Sequence, residues 1–260
     1  MISLIEALLL TEGGVVSIVG SGGKTSLMFR LAQELVQANA TVLTTTTTKI
    51  FKPDKTQSPQ VIVSSDPDEI VQRCQEHLKR HPHVTAAAGT VASMRHKLTG
   101  LSPEVVDQLF DTGAFNWILV EADGAAGRPL KAPAAHEPVI PASSRWVIGL
   151  AGLKGVGQPL TEKWVFRSPL FAELTGLAPG RAVTEPSVAY ALTAKQGIFK
   201  GSPPKAKRIA FLNMADRRKR LVMARRIVRE LKNTSRPRKL HRVVVGKLLH
   251  PMPVIEYDTL

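Results

Sequence analysis

The chain has 260 residues, 43% of them hydrophobic, and a formal net charge of +14. That length supports one large domain with a sizeable core, and its single cysteine, Cys74, excludes an intramolecular disulfide and any Cys-x-x-Cys zinc or dithiol site. No apolar run approaches a membrane span. No basic region precedes the short run Leu8-Leu9-Leu10, so neither a signal peptide nor a membrane association is expected and the cytoplasm is the expected compartment.

Ile2 to Leu10 reads as a short helix. The β-branched run Val15-Val16-Ser17-Ile18-Val19 reads as a buried strand, and it feeds Gly20-Ser21-Gly22-Gly23-Lys24-Thr25-Ser26. Leu27, Leu31, Leu35 and Val36 then recur at helical spacing, predicting a helix over about 25–38. Strand, glycine turn, Lys-Thr and helix form the context of a phosphate-binding loop. Glycines let backbone N–H groups turn toward a polyphosphate, and the helix N-terminus adds partial positive charge. Gly20 through Ser26 are the expected nucleotide contacts. Lys24 would bridge the β- and γ-phosphates, and the Thr25 hydroxyl would ligate Mg²⁺. The spacing departs from G-x-x-x-x-G-K-[ST], whose first glycine would fall on Ile18; the shorter loop looks more like the G-T-N-G-K-T loop of Mur-type ligases.

Thr41 to Thr47 reads as a second strand ending in the run Thr44 to Thr48. Two readings stand side by side. One is an edge strand with a hydroxyl face; the other is a strand end beside the phosphate site, with Thr46 completing Mg²⁺ coordination. Val61 to Ser65 reads as a short strand, Asp66-Pro67 as a helix cap and first turn, and Val84 to Val91 as a strand. Residues 97–101 read as a loop, and Ser102-Pro103-Glu104 begins a helix to about Asp111.

Asn116 to Gly124 is an apolar strand ending in Glu121 and Asp123. Two carboxylates two residues apart share one side of an extended strand. One would hold a Mg²⁺ water and the other would orient an attacking water. Lys24, Glu121 and Asp123 are thus the expected catalytic set, with Thr25, Thr46, Glu121 and Asp123 as metal candidates. The segment Ala125 to Pro141 carries Arg128, Lys131, His136 and Glu137 among four prolines. It reads as a surface connection or as a wall over the γ-phosphate, with Lys131, His136 and Glu137 as candidate substrate contacts.

Trp146 to Ala151 reads as a strand, residues 152–157 as a glycine-rich turn, and residues 158–200 as a helical insertion. Arg208 to Asn213 is a strand ending Asn213-x-x-Asp216, which resembles the guanine-reading N-K-x-D of GTPases, with Met214 in place of the lysine. There Asp216 would accept from guanine and Asn213 would organise the loop. A chance helix cap after a strand gives the same letters. A helix to about Lys232 and a last strand over 242–249 follow. Residues 200–247 hold 17 lysines and arginines against two acids, Asp216 and Glu230. No aromatic residue after Phe211 interleaves with them, so a solvated helix face is the favoured reading and nucleic acid is not an expected partner.

The glycine loop, the threonine run, Val120-Glu121-Ala122-Asp123-Gly124, Leu130-Lys131-Ala132-Pro133 and His136-Glu137-Pro138-Val139-Ile140-Pro141 together resemble the YqeC family. Its members are described as accessory proteins of selenium-dependent molybdenum hydroxylases. The resemblance implies a P-loop nucleotide-binding protein acting in maturation of such a hydroxylase or its cofactor, with a hydroxylase or maturation protein as partner. The residues themselves point to Mg²⁺ with ATP or GTP, and to NTP hydrolysis or an NTP-dependent transfer or ligation. The expected fold is α/β and P-loop NTPase-like, with a mostly parallel sheet, helices on both faces, and one domain over 1–260. A nucleotide-switched docking protein is the alternative, and a nucleic-acid-binding protein using the basic carboxyl-terminal block the weaker one.

Overall fold

The structure, a computed structural model, describes residues 2–92, 94–233 and 239–260. Nine strands build one sheet: β1 (Gly14–Gly20), β2 (Val42–Thr46), β3 (Val61–Val63), β4 (His83–Ala87), β5 (Trp117–Glu121), β6 (Ser144–Gly152), β7 (Lys207–Asn213), β8 (Arg242–Gly246) and β9 (Val254–Thr259). Their spatial order is β9-β8-β7-β6-β1-β5-β2-β4-β3. All neighbours pair in parallel except β8 and β9, which are antiparallel. The central strands are buried along their whole length, which is why they read as continuous apolar runs rather than alternating ones.

Among the described residues seven helices flank the sheet: α1 (Leu4–Ala7), α2 (Lys24–Gln37), α3 (Pro67–Leu78), α4 (Pro103–Asp111), α5 (Ser168–Thr175), α6 (Glu185–Thr193) and α7 (Arg218–Lys232). The side-chain alternation of the strands sorts the core into two layers. Val16, Ile18, Leu119 and Ile148 pack with α1 and α2 on one face. Val15, Val120, Val147 and Leu212 pack with α3, α4, α6 and α7 on the other. The fold is therefore α/β with a mostly parallel central sheet.

Local chemistry explains most helix starts. Asp66 accepts from Asp68 N at 2.9 Å and Ser102 from Val105 N at 3.3 Å, each with a proline in the first turn. Four expectations need correction. The N-terminal helix is only one turn, because Leu9 takes a left-handed φ of 57°. Residues 97–101 are not simply a loop: Met94–Thr99 pairs antiparallel with Lys49–Phe51 and Gly89–Val91 in a small second sheet. The strand expected over 84–91 is accordingly split between β4 and that sheet. Finally, β8 stops at Gly246, and β9 follows it unannounced. Its Glu256 and Asp258 face Arg225 and Lys232 of α7, and these acids masked the strand pattern. Residues 158–200 hold α5, α6 and turns, plus Val165–Phe166, which pairs with Leu130–Lys131.

The strand β2 lies inside the sheet, between β5 and β4, so the edge-strand reading of the threonine run is wrong. Thr44 and Thr45 bond across to β4: Thr44 to Thr85 Oγ1 at 2.7 Å and Thr45 to Ala86 O at 2.8 Å.

Candidate functional site

The site lies where β1 and β5, adjacent and parallel, end at one edge of the sheet. Ile18 is level with Glu121, so the glycine turn leaves β1 beside the carboxylates that end β5. The turn needs glycine. Gly20, Gly22 and Gly23 hold φ values of 87°, 88° and 126°, conformations that side chains rarely adopt. A Cβ on Gly22 would stand 2.6 Å from Gly152 Cα, and one on Gly23 would stand 2.4 Å from Asn213 Nδ2. The loop is therefore pressed between the ends of β6 and β7.

Lys24 opens α2 and turns back under the loop. Its ammonium donates to Gly20 O at 2.9 Å and lies 3.2 Å from Asp123 Oδ1 and 3.6 Å from Glu121 Oε1. Burial opposes the charge of Lys24, but Asp123 and Glu121 outweigh it and hold its pKa above the ordinary value. The Thr25 hydroxyl donates to Glu121 Oε2 at 2.7 Å. Burial raises the Glu121 carboxyl pKa against the pull of Lys24. Asp123 Oδ2 accepts from Gly20 N at 2.9 Å, so the second acid braces the loop.

A second lysine meets the same carboxylate. Lys131, fully buried, donates to Asp123 Oδ2 at 2.9 Å, to Gly124 O at 2.5 Å and to Glu137 Oε2 at 2.7 Å. Glu137 also receives the Arg167 guanidinium through both of its oxygens. Burial works against the charge of Glu137, yet hydrogen bonds from Arg167 and Lys131 prevail and lower its pKa to about 2. Lys24, Lys131 and Arg167 thus alternate with Glu121, Asp123 and Glu137 in one charge-balanced chain, buried except at its half-buried Arg167 end.

The remaining expected residues fall in different places. The Asn213 amide donates to Gly22 O at 2.7 Å and accepts from Leu248 N at 3.1 Å, tying the glycine loop to the segment after β8. Asp216 is paired with Arg220 at 2.8 Å on the surface. Thr46 bonds to backbone rather than to the carboxylates: it donates to Glu121 O at 2.7 Å and accepts from Thr48 N at 3.1 Å. Ser26 lines the groove between α2 and the 248–253 segment. His136 is exposed and makes no side-chain hydrogen bond among the described residues. Arg167, thirty residues from Glu137, was invisible to sequence reasoning. Only the acid and lysine in the proline-rich segment hinted at a partner.

The donor set fits a cation shared with a ligand rather than a self-sufficient metal centre. Among the described residues no three of His, Cys, Asp and Glu converge. Thr25, Glu121 and Asp123 offer a partial oxygen shell of the kind Mg²⁺ completes with water and phosphate oxygens. Ser21 Oγ is buried without a hydrogen-bond partner, which marks a group that a ligand or water would satisfy, while Asp123 Oδ1 has the Lys24 ion pair at 3.2 Å.

Fold and site together define an α/β protein whose parallel sheet presents a glycine loop, a buried lysine and two strand-end carboxylates at one edge. The family model described as YqeC protein matches residues 16–169. That span holds the loop, both carboxylates, Lys131, Glu137 and Arg167, and ends before Asn213 and Asp216. A protein of Escherichia coli (strain K12), named "Uncharacterized protein YqeC", is 36% identical over 199 residues, covering 76% of this chain and 75% of that protein. The chain belongs to the YqeC family.

Proposed function

We propose that this edge is a Mg²⁺-dependent nucleoside-triphosphate site of the P-loop kind, and that the chain hydrolyses or transfers a phosphoryl group from ATP or GTP. We place that activity in the cytoplasm, in maturation of a selenium-dependent molybdenum hydroxylase or its cofactor. The observation that carries the nucleotide reading is the convergence of Lys24 and Thr25, at the start of α2, on Glu121 and Asp123 at the end of β5. The hydroxylase role rests on the family resemblance.

The residues divide the work. The glycine-loop amides and the α2 N-terminus hold the phosphates. Lys24, now neutralised by two acids, moves its charge onto them. Thr25 and Glu121 hold Mg²⁺, which when bound neutralises charge on the transferred group. Asp123, relieved of Lys24, keeps its bond to Gly20 N and orients water. Lys131, which donates to Gly124 O, would meet the terminal phosphate. The charge chain from Asp123 to Arg167 favours a second reading, a nucleotide-switched docking protein, because it links the loop to the 158–200 segment.

Calorimetry with Mg-ATP and Mg-GTP tests the nucleotide reading. Binding to the native chain, weakened at least about tenfold in Lys24→Ala, is the expected result. An absence of binding to either nucleotide would make the glycine turn a turn only. Loss of a GTP preference in Asp216→Ala assigns a guanine site; equal ATP binding reduces Asn213 to a brace. Turnover accelerated by a small molecule supports the enzyme, and turnover accelerated only by a protein supports the switch. Cells lacking the chain should accumulate the hydroxylase polypeptide without its activity.

A further inference from the structure

The basic block is not one uniform face. Toward the end of α7 three of its cations are matched: Arg225 with Glu256, Arg226 with Glu185, Lys232 with Asp258. At the start of α7 Arg220 is matched by Asp216, but its neighbours at the cavity are not. Arg217 and Lys219, with Lys154 from the turn after β6, make no ion pair or side-chain hydrogen bond among the described residues. These three rim one cavity of about 240 Å³. Leu153, Val156 and Met223 give it an apolar floor, and the half-buried Trp164 lines it, with the Lys163 ammonium 5.4 Å from the centroid of that ring. Arg220 also lines it, held by Asp216.

Helix stability does not account for this arrangement. The first turn of α7 contains no acid, and Arg217 makes no side-chain cap. Lys154, Arg217 and Lys219 are exposed; cations at the start of a helix oppose its dipole, and the neighbouring acid Asp216 is taken up by Arg220. The cavity also stands at the same sheet edge as the glycine loop. It lies between the turn that follows β6 and the helix that follows β7, and Gly152 and Asn213, level at the ends of those strands, both touch the loop.

We propose that this cavity is a second binding site, separate from the glycine loop, for a small phosphorylated molecule with a flat aromatic body. The flat body lies on Trp164 and the apolar floor. The phosphate meets Lys154, Arg217 and Lys219. The volume is below the range of about 300–1,000 Å³ usual for drug-sized ligands, which selects a one- or two-ring body over a whole nucleoside triphosphate.

The test uses 1-naphthyl phosphate as probe on the native chain, with paired double variants separating the cavity from the glycine loop, so that the outcome does not depend on the nucleotide reading. Trp117 and Trp146 are buried in the core at 6% and 2% exposure, so of the three tryptophans Trp164 is the one the probe can touch, and its signal is the difference between the native chain and Trp164→Phe. A saturable emission change is expected, absent in Trp164→Phe, with 1-naphthol and inorganic phosphate each at least about tenfold weaker. Arg217→Gln/Lys219→Gln should weaken binding about tenfold, while Arg225→Gln/Arg229→Gln, with the same charge loss off the cavity, should leave it within about twofold. No saturable binding overturns the proposal. So do equal affinity for 1-naphthol, equal weakening in both double variants, and binding of an RNA oligonucleotide that the probe cannot displace.

Discussion

Glu137 is where a single residue carries most. It accepts from Lys131, whose side chain is wholly buried, and from Arg167, which is partly exposed. Removing one partner of a buried pair strands the other charge, at a cost of about 3–5 kcal/mol. Glu137→Gln should therefore lower the unfolding free energy measured in urea by an amount in that range, with Arg167→Gln costing less because water reaches its guanidinium. Equal, small effects would show that the charge chain is not an energetic unit. The residues that sequence reading could find are those whose meaning is local. Lys24 and Thr25 are recognisable because glycines precede them and a helix follows; Glu121 and Asp123 because an apolar run ends on them. Arg167 was not recognisable. Its role depends on a contact across thirty positions, and it stands at a left-handed φ of 59° before α5 that no propensity announces. Asn213 reads in sequence as part of a guanine-reading motif; its observed contact is a bond to Gly22 O.

The element that tolerates least change is the glycine loop. Gly22 has a φ of 88°, and a Cβ there would meet Gly152 Cα at 2.6 Å and Pro129 O at 2.8 Å, all backbone and unable to swing aside. Gly113, after α4, has a φ of 67° and nothing within 4 Å. Gly113→Ala should thus cost only the left-handed strain, about 1–2 kcal/mol. Gly22→Ala adds a collision between three chain segments, and should both cost more in a urea titration and abolish Mg-nucleotide binding. Matching losses in the two variants would deny the loop its packing. Among the other elements, the parallel strands were legible because burial on both faces leaves an apolar run. β9 and the small sheet were not, since each is antiparallel and half wet, and their registers are set by partners distant in sequence. Its place inside the sheet could not be read from the threonine run of β2, because hydroxyls satisfied by β4 look the same in sequence as hydroxyls facing water.

At the scale of the whole molecule, stability against acid joins the sheet to the charge chain. His83, at the start of β4, is buried against Phe29 and hydrogen-bonded to Thr44 Oγ1 at 3.0 Å. Burial lowers its pKa from 6.5 to about 4. Between those values the unfolded chain holds a proton that the folded chain refuses, so stability is complete above pH 6.5 and falls as pH drops toward 4. The full effect is on the order of 3 kcal/mol. Glu137 acts next. Despite its burial, Arg167 and Lys131 lower its pKa from 4.5 to about 2, so its contribution is present above pH 4.5 and is lost toward pH 2. Glu121 works in the opposite direction: burial raises its pKa, so the folded chain takes up that proton more readily than the unfolded one. Differences between variants separate the three where a single curve would blend them. Unfolding free energies measured from pH 7 to 3 should show a slope for the native chain that His83→Gln loses between pH 6.5 and 4, by up to about 1.4 kcal/mol per pH unit. Glu137→Gln should keep that slope and lose the one below pH 4.5. A His83→Gln curve parallel to the native one throughout would mean that His83 gains its proton in the folded chain as readily as in the unfolded one, and that water reaches the start of β4.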